Sequence, residues 1–450
     1  MKVTCEPRVY TMGAILCLAL VICSRNFGDR GGAHFMASLT LAGAAYLFAI
    51  REFFTTPILP KRVVVFGLVV AAFWHIEFLR LPAGVDDDIH RYVWDGRLQR
   101  LGHNPYLVIP RDPAAQGLHT FETRNLNNSD LPSPYPPGAQ LFFRAVTAIH
   151  ESTQALKVAF AVCNLTIVLL LLDLFRRLRQ PAHLVLVFAW NPLLAIEASG
   201  SGHIDILGAL LLVISAAALA RRWRTTAAVS LALAIAVKFL PIVLIPVYWK
   251  RVRIRDVALA ALVVALLYVP FLNNGRIPLG SLGSYVRGFR FNGPIFAVLE
   301  GVAPAWALAG FAVLAGLTTA TWLRRKSSDW SPQAFAWPMA VSLVCAPVVF
   351  PWYLLWFLPF LTSPSLLLIL IWTVSIIPTY IMWHMRAVSG VWGALPSWSM
   401  MLEYGIVAAA AGWIALGRFI QARQRTSSVS GTPNLSSKSA SVQFTEEERS

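Results

Sequence analysis

Apolar residues form long blocks along most of the chain, and these blocks give the first indication of its architecture. A transmembrane helix needs about 20 mainly apolar residues, and many of the blocks approach that length. No alternation of apolar and polar residues dominates, which disfavours a β-barrel. The pattern therefore predicts an all-α, polytopic transmembrane helical bundle. Its expected spans are residues 9–24, 33–50, 62–80, 152–175, 183–198, 204–220, 226–249, 256–273, 305–323, 333–350, 352–382 and 401–420.

Two of these blocks do not fit a single straight helix. Residues 226–249 have basic loops on both flanks, and two loops on the same side of the membrane must be joined by an even number of crossings. This block is therefore predicted to form a hairpin of two half-spans that turns near Lys238 and Pro241. Residues 352–382 contain Pro364 and are expected to break into two short segments. The expected total is about 12 to 14 crossings. Spans as short as these must thin the bilayer or lie at an angle to it.

Composition and charge support a membrane protein and argue against a nucleic-acid partner. The chain is 57% hydrophobic and 13% charged, whereas soluble domains have about 25% charged residues. The net charge is +16, but the basic residues stand in short clusters beside the spans, as the positive-inside rule expects of cytoplasmic loops. Nucleic acid would need one continuous basic surface. The clusters are Arg51/Lys61/Arg62, Arg176/Arg177/Arg179, Arg221/Arg222/Arg224, Lys250/Arg251/Arg253/Arg255, Arg324/Arg325/Lys326 and Arg418/Arg423/Arg425.

These clusters also predict the orientation of the chain. With the clusters inside, both termini lie in the cytoplasm of a multi-pass protein of the inner (plasma) membrane. Residues 1–420 form one transmembrane domain, and the Ser/Thr-rich residues 421–450 form a disordered cytoplasmic tail. The five cysteines have no CxxC spacing, so they predict neither a disulfide framework nor a metal site. Four loops are expected outside the cell: residues 81–151, 199–203, 274–304 and 383–400.

The first outer loop, residues 81–151, is the longest and begins with an acidic helix. A helix over residues 87–101 is predicted, with Asp86 or Asp87 as its N-cap and a stop at Gly102. We expect this amphipathic helix to lie along the membrane interface, with its apolar side toward lipid or the bundle. One face carries the polar stripe Asp88, Tyr92, Asp95 and Gln99.

The three successive acids of this loop are the best candidates for chemistry. Crowding raises the cost of ionising Asp86, Asp87 and Asp88 together, and carboxylates held in this way often have a function. An ionised Asp88 at the membrane surface can act as a general base on a hydroxyl group. For Asp86 and Asp95, a solvated loop helix is an equally good explanation.

Further polar and aromatic residues stand at other outer ends of spans. His203 and Asp205 follow a Gly-Ser-Gly turn and could instead cap the next helix. Lys238 lies inside an apolar run, where a lysine needs an anion or must extend to the surface. Trp352 and Tyr353 could also serve only as interface anchors. The remaining candidates are Arg287, Arg290, Trp352 and Tyr353.

In combination, these motifs resemble the GT-C superfamily of glycosyltransferases. The chain is most similar to bacterial polyprenyl-phosphate-mannose-dependent α-mannosyltransferases, over most of residues 60–360. The residues that carry the resemblance follow in the order of that family: Asp87 to Arg97 with Gly102 to Tyr106, Tyr135-Pro136-Pro137, Trp190-Asn191-Pro192 with Glu197, Gly202 to Asp205, Lys238 with Pro241, and Pro351-Trp352-Tyr353.

The resemblance implies an activity and a set of roles. A hexose, in this family mannose, would pass from a polyprenyl-phosphate-linked donor to an extracytoplasmic lipid or glycan acceptor, with inversion. By position Asp88 becomes the general base, with Asp87 next, although only Asp86 and Asp88 fit the DxD spacing of some relatives. No metal is carried over, and a divalent metal is left open. The groups implied for binding donor phosphate or sugar are His203, Asp205, Lys238, Arg287, Arg290, Trp352 and Tyr353.

Two other classes of protein compete with this hypothesis. A transporter or flippase of lipid-linked sugars, without transferase activity, should hold its site near the midplane between two related halves. Lys238 in its hairpin favours that class, but no related halves are apparent and the polar residues lie at span ends. A membrane anchor or assembly protein would use the first loop only to recruit partners, and its Asp and His residues would tolerate substitution.

Overall fold

The fold is entirely helical over the part of the chain that the computed structural model describes, which is residues 5–84, 87–124, 126–326 and 331–429. No β-strand forms in these residues, as the apolar blocks predict. Short segments of other geometry matter for the site: a π-helix, Leu194–Gly200, and 3₁₀ helices that include Leu240–Tyr248 and Pro351–Trp356. The α-helices are α1 (Cys5–Arg25), α2 (Ala33–Thr55), α3 (Lys61–Leu79), α4 (Ile89–Arg100), α5 (Pro137–Ile149), α6 (Thr153–Arg177), α7 (Val185–Ala189), α8 (Asp205–Ala220), α9 (Arg224–Val237), α10 (Ile254–Tyr268), α11 (Leu282–Gly288), α12 (Pro294–Leu299), α13 (Ala305–Lys326), α14 (Pro332–Val344), α15 (Leu367–Ser375), α16 (Ile381–Ser389) and α17 (Ser397–Val429).

The protein is an integral membrane protein by the length and hydropathy of its helices. Among the described residues, 8 helices are long and apolar enough to cross a membrane, or 9 if a pair bent by 68° counts as one span. This number is lower than the predicted 12 to 14 crossings, because the other apolar blocks fold as shorter helices and 3₁₀ segments. The long helices are Glu6–Arg25, Ala33–Thr55, Lys61–Leu79, Thr153–Arg177, Ile254–Phe271, Ala305–Lys326, Pro364–Ser389 and Ser397–Gln421, and the bent pair joins Ala182–Ala189 to Leu194–Gly200.

Ion pairs define the two ends of the bundle. Glu6 at the start of α1 lies 2.6 Å from Arg62 at the start of α3. Arg30, between α1 and α2, lies 2.7 Å from Asp87, beyond the end of α3. The connections that follow α1 and α3 therefore meet at one end, which we call the polar end, and the starts of these helices meet at the other, the basic end. Further bonds join connections at the polar end: Arg30 to Ser201 at 2.6 Å, Asn128 to Tyr285 at 3.4 Å and His384 to Asp29 at 2.7 Å.

A short helical hairpin runs between the two ends, and it breaks where the sequence predicts. α9 ends at Val237, Lys238 adopts an extended backbone, and the 3₁₀ helix starts at Leu240. Lys238 contacts Asp205 at the polar end, at 2.7 Å. Thr225, at the start of α9, donates to Asp256 at 2.6 Å, so the chain after the 3₁₀ helix has returned to the basic end. The two halves cover this distance with fewer residues than a standard span requires.

The acidic helix α4 differs from the sequence prediction in its start and in its surroundings. It begins at Ile89 rather than at residue 87, with Asp88 at the N-cap position. Its polar face is buried against α5: Asp95 is 0% exposed, and Gln99 donates to the Gln140 side chain at 2.9 Å. A solvated loop helix, the alternative explanation for Asp95, is wrong because α5 supplies partners for these polar groups.

The chain divides into two compact units, Met1–Val407 and Ala408–Ser450. In the first unit, the block expected at 352–382 breaks before Pro364 as predicted, but its helical span continues to Ser389, beyond the predicted end. In the second unit, helix extends to Val429, past the position where the tail was expected to begin. Residues 430–450 of that tail, and Asp86, lie outside the described residues.

Candidate functional site

Asp87 is a buried carboxylate that is already neutralised by an arginine. It is 3% exposed, and its Oδ1 lies 2.7 Å from Arg30 Nη1. Its Oδ2 accepts the backbone N–H of Gly84 at 2.7 Å. Arg30 also donates to the Ser201 hydroxyl at 2.6 Å, so one guanidinium joins the start of α4 to the turn that precedes α8. This arrangement links two parts of the polar end and engages both carboxylate oxygens of Asp87.

Asp88, the next residue, remains accessible. Its side chain is 21% exposed, and its Oδ1 accepts a hydrogen bond from Asn127 Nδ2 at 2.7 Å. Its Oδ2 lies 3.8 Å from His203 Nδ1. Asp88 is therefore a carboxylate that a substrate can reach, and its other neighbour is an imidazole.

His203 is held in one orientation by two contacts, one of which has its own support. Its ring stacks on Trp352, with centroids 3.9 Å apart and an angle of 8° between the planes. Its Nε2 lies 3.1 Å from Glu197 Oε2, and Tyr380 donates its hydroxyl to the other oxygen of Glu197. Burial lowers the pKa of His203, but the hydrogen bond and charge of Glu197, with the charge of Asp88, outweigh burial and raise it.

The backbone before α8 explains how Glu197 and His203 come together. Glu197 lies in the π-helix Leu194–Gly200, a wider turn that is frequent at functional sites. The backbone then turns at Gly202, which has a φ of 74° and where a Cβ would press on Ile89. As a result the backbone N–H of His203 donates to the Glu197 carbonyl at 2.9 Å, and the two side chains face each other.

Asp205 and Lys238 form a second charged pair close to the first. Lys238 Nζ lies 2.7 Å from Asp205 Oδ1 and 3.7 Å from the centre of the Tyr353 ring. The indole of Trp356 donates to the same oxygen at 2.6 Å. Asp205 Oδ2 is buried and has no hydrogen-bond partner among the described residues. Lys238 is 24% exposed, so the cation remains accessible.

Three phenols lie in the field of these acids. Burial raises the pKa of Tyr92, Tyr135 and Tyr353 well above the usual value, and the charge of Asp88 raises each of them further. The charge of Asp205 acts on Tyr92 and Tyr353 as well. The two acids and the three phenols therefore share one region, in which the phenols stay neutral and can donate hydrogen bonds.

Asp95, a candidate from the sequence, supports α4. It pairs with Arg91 at 3.1 Å, accepts from Gln140 Nε2 at 2.9 Å and accepts from the Ser133 hydroxyl. Burial raises the pKa of Asp95, and Arg91 with these donors opposes the rise without cancelling it. This network holds α4 against α5 and against the loop that precedes α5.

The two arginines expected to bind phosphate have their partners outside this cluster. Arg290 forms an ion pair with Glu300 at 2.5 Å, and Arg287 is exposed, with its Nε donating to the Gly283 carbonyl at 3.2 Å. Among the described residues, no hydrogen bond or ion pair joins either arginine to Asp88. Trp352 and Tyr353, by contrast, lie against His203 and Lys238 as described above.

Several residues of the site were not among the candidates from the sequence. They are Arg30, Asn127 and Tyr380, together with Glu197, which was noted only as part of a motif. One signal could have identified Arg30: it lies in a short loop on the side that the positive-inside rule leaves poor in arginine. No comparable pattern marks Tyr380, which lies within an apolar span.

The cluster combines an accessible carboxylate, an accessible cation and neutral phenols. It can take a proton from a hydroxyl group and offset negative charge on a neighbouring group. Within the described ranges, no group of three His, Cys, Asp or Glu residues is placed to hold a metal ion.

Comparison with known proteins adds one finding. The model of the family described as "Alpha-(1->6)-mannopyranosyltransferase, N-terminal domain" matches residues 18–253. This range includes Arg30, Asp88, Glu197, His203 and Lys238. No curated protein and no solved structure matches the chain.

Proposed function

Because the chain belongs to the family of alpha-(1->6)-mannopyranosyltransferases, we propose that it transfers mannose from a polyprenyl-phosphate-linked donor to a hydroxyl group of a lipid or glycan acceptor. Membership of this family, with the apolar helices, makes the chain a membrane glycosyltransferase. The donor, the acceptor, an α-(1→6) linkage and inversion at the anomeric carbon are parts of the proposal. The accessible carboxylate of Asp88 is the observation that carries it.

Asp88 is the general base of the proposed reaction. It takes the proton of the acceptor hydroxyl as the oxygen attacks the anomeric carbon, and the bond to the phosphate oxygen breaks with its electron pair. Asp88 suits this role because it is partly exposed, whereas Asp87 is enclosed by Arg30. General bases commonly contribute about 100-fold to 10,000-fold in rate.

Lys238 offsets the charge on the phosphate that leaves. Its ammonium group has three donors, of which Asp205 engages one, and its side chain is 24% exposed. The neutral phenols of Tyr92 and Tyr353 are suitable donors to sugar hydroxyls or phosphate oxygens. The polyprenyl chain, being apolar, lies between the membrane helices, which accounts for chemistry on a sugar at the end of a helical bundle.

In the proposed orientation the polar end faces the outside of the plasma membrane and both termini lie in the cytoplasm. The basic end carries Arg51, Lys61 and Arg62, in agreement with the positive-inside rule. A cysteine at the exposed position Gly117 should react with a membrane-impermeant maleimide added to intact cells, and a cysteine at Arg51 should react only after lysis. The opposite labelling pattern would reverse the orientation.

Transfer of radiolabelled mannose from polyprenyl-phosphate-mannose, measured in membranes at matched expression, tests the proposed activity. Wild type should transfer mannose, and Asp88→Asn should lower the rate by about 100-fold or more. Asp86→Asn is the matched control, since it removes one charge from the same segment, whereas Asp87→Asn leaves the buried Arg30 unpaired and is read first as a change in stability. A loss caused by Asp86→Asn alone would move the base to that residue, and full transfer by Asp88→Asn would refute its role.

A further inference from the structure

The contacts of His203 contain an unused acceptor that faces the proposed base. Its Nε2 is engaged by Glu197 at 3.1 Å, which leaves Nδ1 on the side of Asp88. Nδ1 is buried and has no hydrogen-bond partner among the described residues, and the nearest acidic oxygen, Asp88 Oδ2, is 3.8 Å away. A neutral imidazole that donates from Nε2 to a carboxylate has its lone pair on Nδ1.

We propose that His203, held by Glu197, accepts from Asp88 the proton that Asp88 has taken from the acceptor hydroxyl. This inference rests on the proposed function and assigns to that reaction a second proton-transfer step. It gives His203 a different role from the contact with donor phosphate expected from the sequence.

The proposed step balances as follows. The O–H bond of the acceptor breaks as its oxygen bonds to the anomeric carbon, and the proton passes to Asp88 Oδ2. The bond between the anomeric carbon and the phosphate oxygen breaks, and its electron pair leaves with the phosphate. The proton then moves from Asp88 to His203 Nδ1, which restores the carboxylate and leaves an imidazolium between Asp88 and Glu197. The imidazolium releases the proton to water or to the departing phosphate.

The surroundings of His203 are suited to this role. Stacking on Trp352 fixes the plane of the ring, and the π-helix positions Glu197 on the far side from Asp88. The separation of 3.8 Å exceeds a hydrogen bond, and such contacts are often long before substrate binds. Two carboxylates flank the imidazolium once it forms, which stabilises the bound proton.

The charge balance around His203 determines the expected pH dependence. The pKa of His203 is raised, since Glu197, Asp88 and Asp87 together outweigh burial. A protonated His203 has no acceptor at Nδ1, so transfer should fall as the pH drops through this raised pKa. Removing the charge of Glu197 should lower the pKa and move the acid limb of the profile to lower pH. The charged or titratable groups around His203 are Asp88 at the N-cap of α4, Tyr92 on α4, Glu197 on the π-helix and Tyr380 behind Glu197. Asp87 and Arg30 lie in the adjoining connections.

The test uses the full-length protein in membranes and measures mannose transfer against pH for His203→Gln and Glu197→Gln. His203→Gln should lower kcat by about tenfold to 100-fold and leave the donor KM within about twofold of wild type. Glu197→Gln should lower kcat less and shift the acid limb to lower pH. The double variant should be no slower than His203→Gln, because the two residues act in one step. His150→Gln, an exposed histidine at the end of α5, is the matched control and should behave as wild type.

The outcomes separate this inference from the proposed function. If Asp88→Asn is inactive but His203→Gln has the kcat of wild type, the inference fails and the proposed function stands. A raised donor KM with unchanged kcat in His203→Gln would also overturn it, in favour of a phosphate contact. An acid limb that does not move in Glu197→Gln would overturn it even if His203→Gln proved unstable. If Asp88→Asn transfers mannose normally, both the proposed base and the inference fail.

Discussion

Removing the arginine that neutralises Asp87 should destabilise the polar end more than removing any exposed arginine. Arg30 and Asp87 have side chains only 7% and 2% exposed, and their charged atoms are 2.7 Å apart. In Arg30→Met the carboxylate of Asp87 keeps the N–H of Gly84 but loses its cation. Leaving one partner of a buried pair uncompensated costs about 3 to 5 kcal/mol. We expect that decrease in the free energy of unfolding, measured by denaturation in one detergent.

Two further variants test the reasoning behind that magnitude. In Arg30→Met/Asp87→Leu no charge is left buried, so most of the lost stability should return, and the coupling between the two sites should be at least about 2 kcal/mol. Arg62→Met breaks an ion pair of similar length, 2.6 Å, but Arg62 is 72% exposed, and its stability should not change measurably. Equal effects of Arg30→Met and Arg62→Met would refute the argument. A double variant whose loss of stability equals the sum of the losses in Arg30→Met and Asp87→Leu would also refute it.

Two other positions give predictions that do not depend on the proposed reaction. Gly208→Ala should lower the free energy of unfolding by about 1 to 3 kcal/mol, because its Cβ would overlap the indole of Trp356; Gly310→Ala, with open space around it, should be neutral or slightly stabilising. Ser133→Ala removes a donor to the buried Asp95 and should lower the free energy of unfolding by about 1.5 to 3 kcal/mol; a change below about 0.5 kcal/mol would show that the network does not support α4.

Asp87 and Asp88 have different environments although they are adjacent in the chain. They are neighbours in sequence and chemically identical, yet one faces Arg30 and the other faces Asn127 and His203. The difference arises because α4 begins just after them, so their side chains leave the chain in different directions. A substitution at Asp87 should therefore be read first as a change in stability, and one at Asp88 as a change in rate.

Much of the fold could be predicted from the sequence, because hydropathy and charge act locally. Long apolar blocks must be helical in a membrane, since each backbone N–H and C=O needs a partner within its own segment. Parity between basic loops was enough to predict the break at Lys238, which the structure confirms. The same reasoning predicted that His203, Asp205 and Lys238 belong to one end of the bundle, where Lys238 lies 2.7 Å from Asp205 and His203 lies 3.8 Å from Asp88.

The tertiary structure decided which groups become partners, because pairs that are distant in the chain leave no local pattern. Arg30 neutralises Asp87, and Tyr380 donates to Glu197, although apolar spans separate each pair in the sequence. The polar face of α4 appeared solvated in the sequence, and only the packing of α5 makes it buried. Periodicity gives the face on which a side chain lies, whereas burial and charge pairing depend on what packs against that face, and this is known only when the helices are assembled.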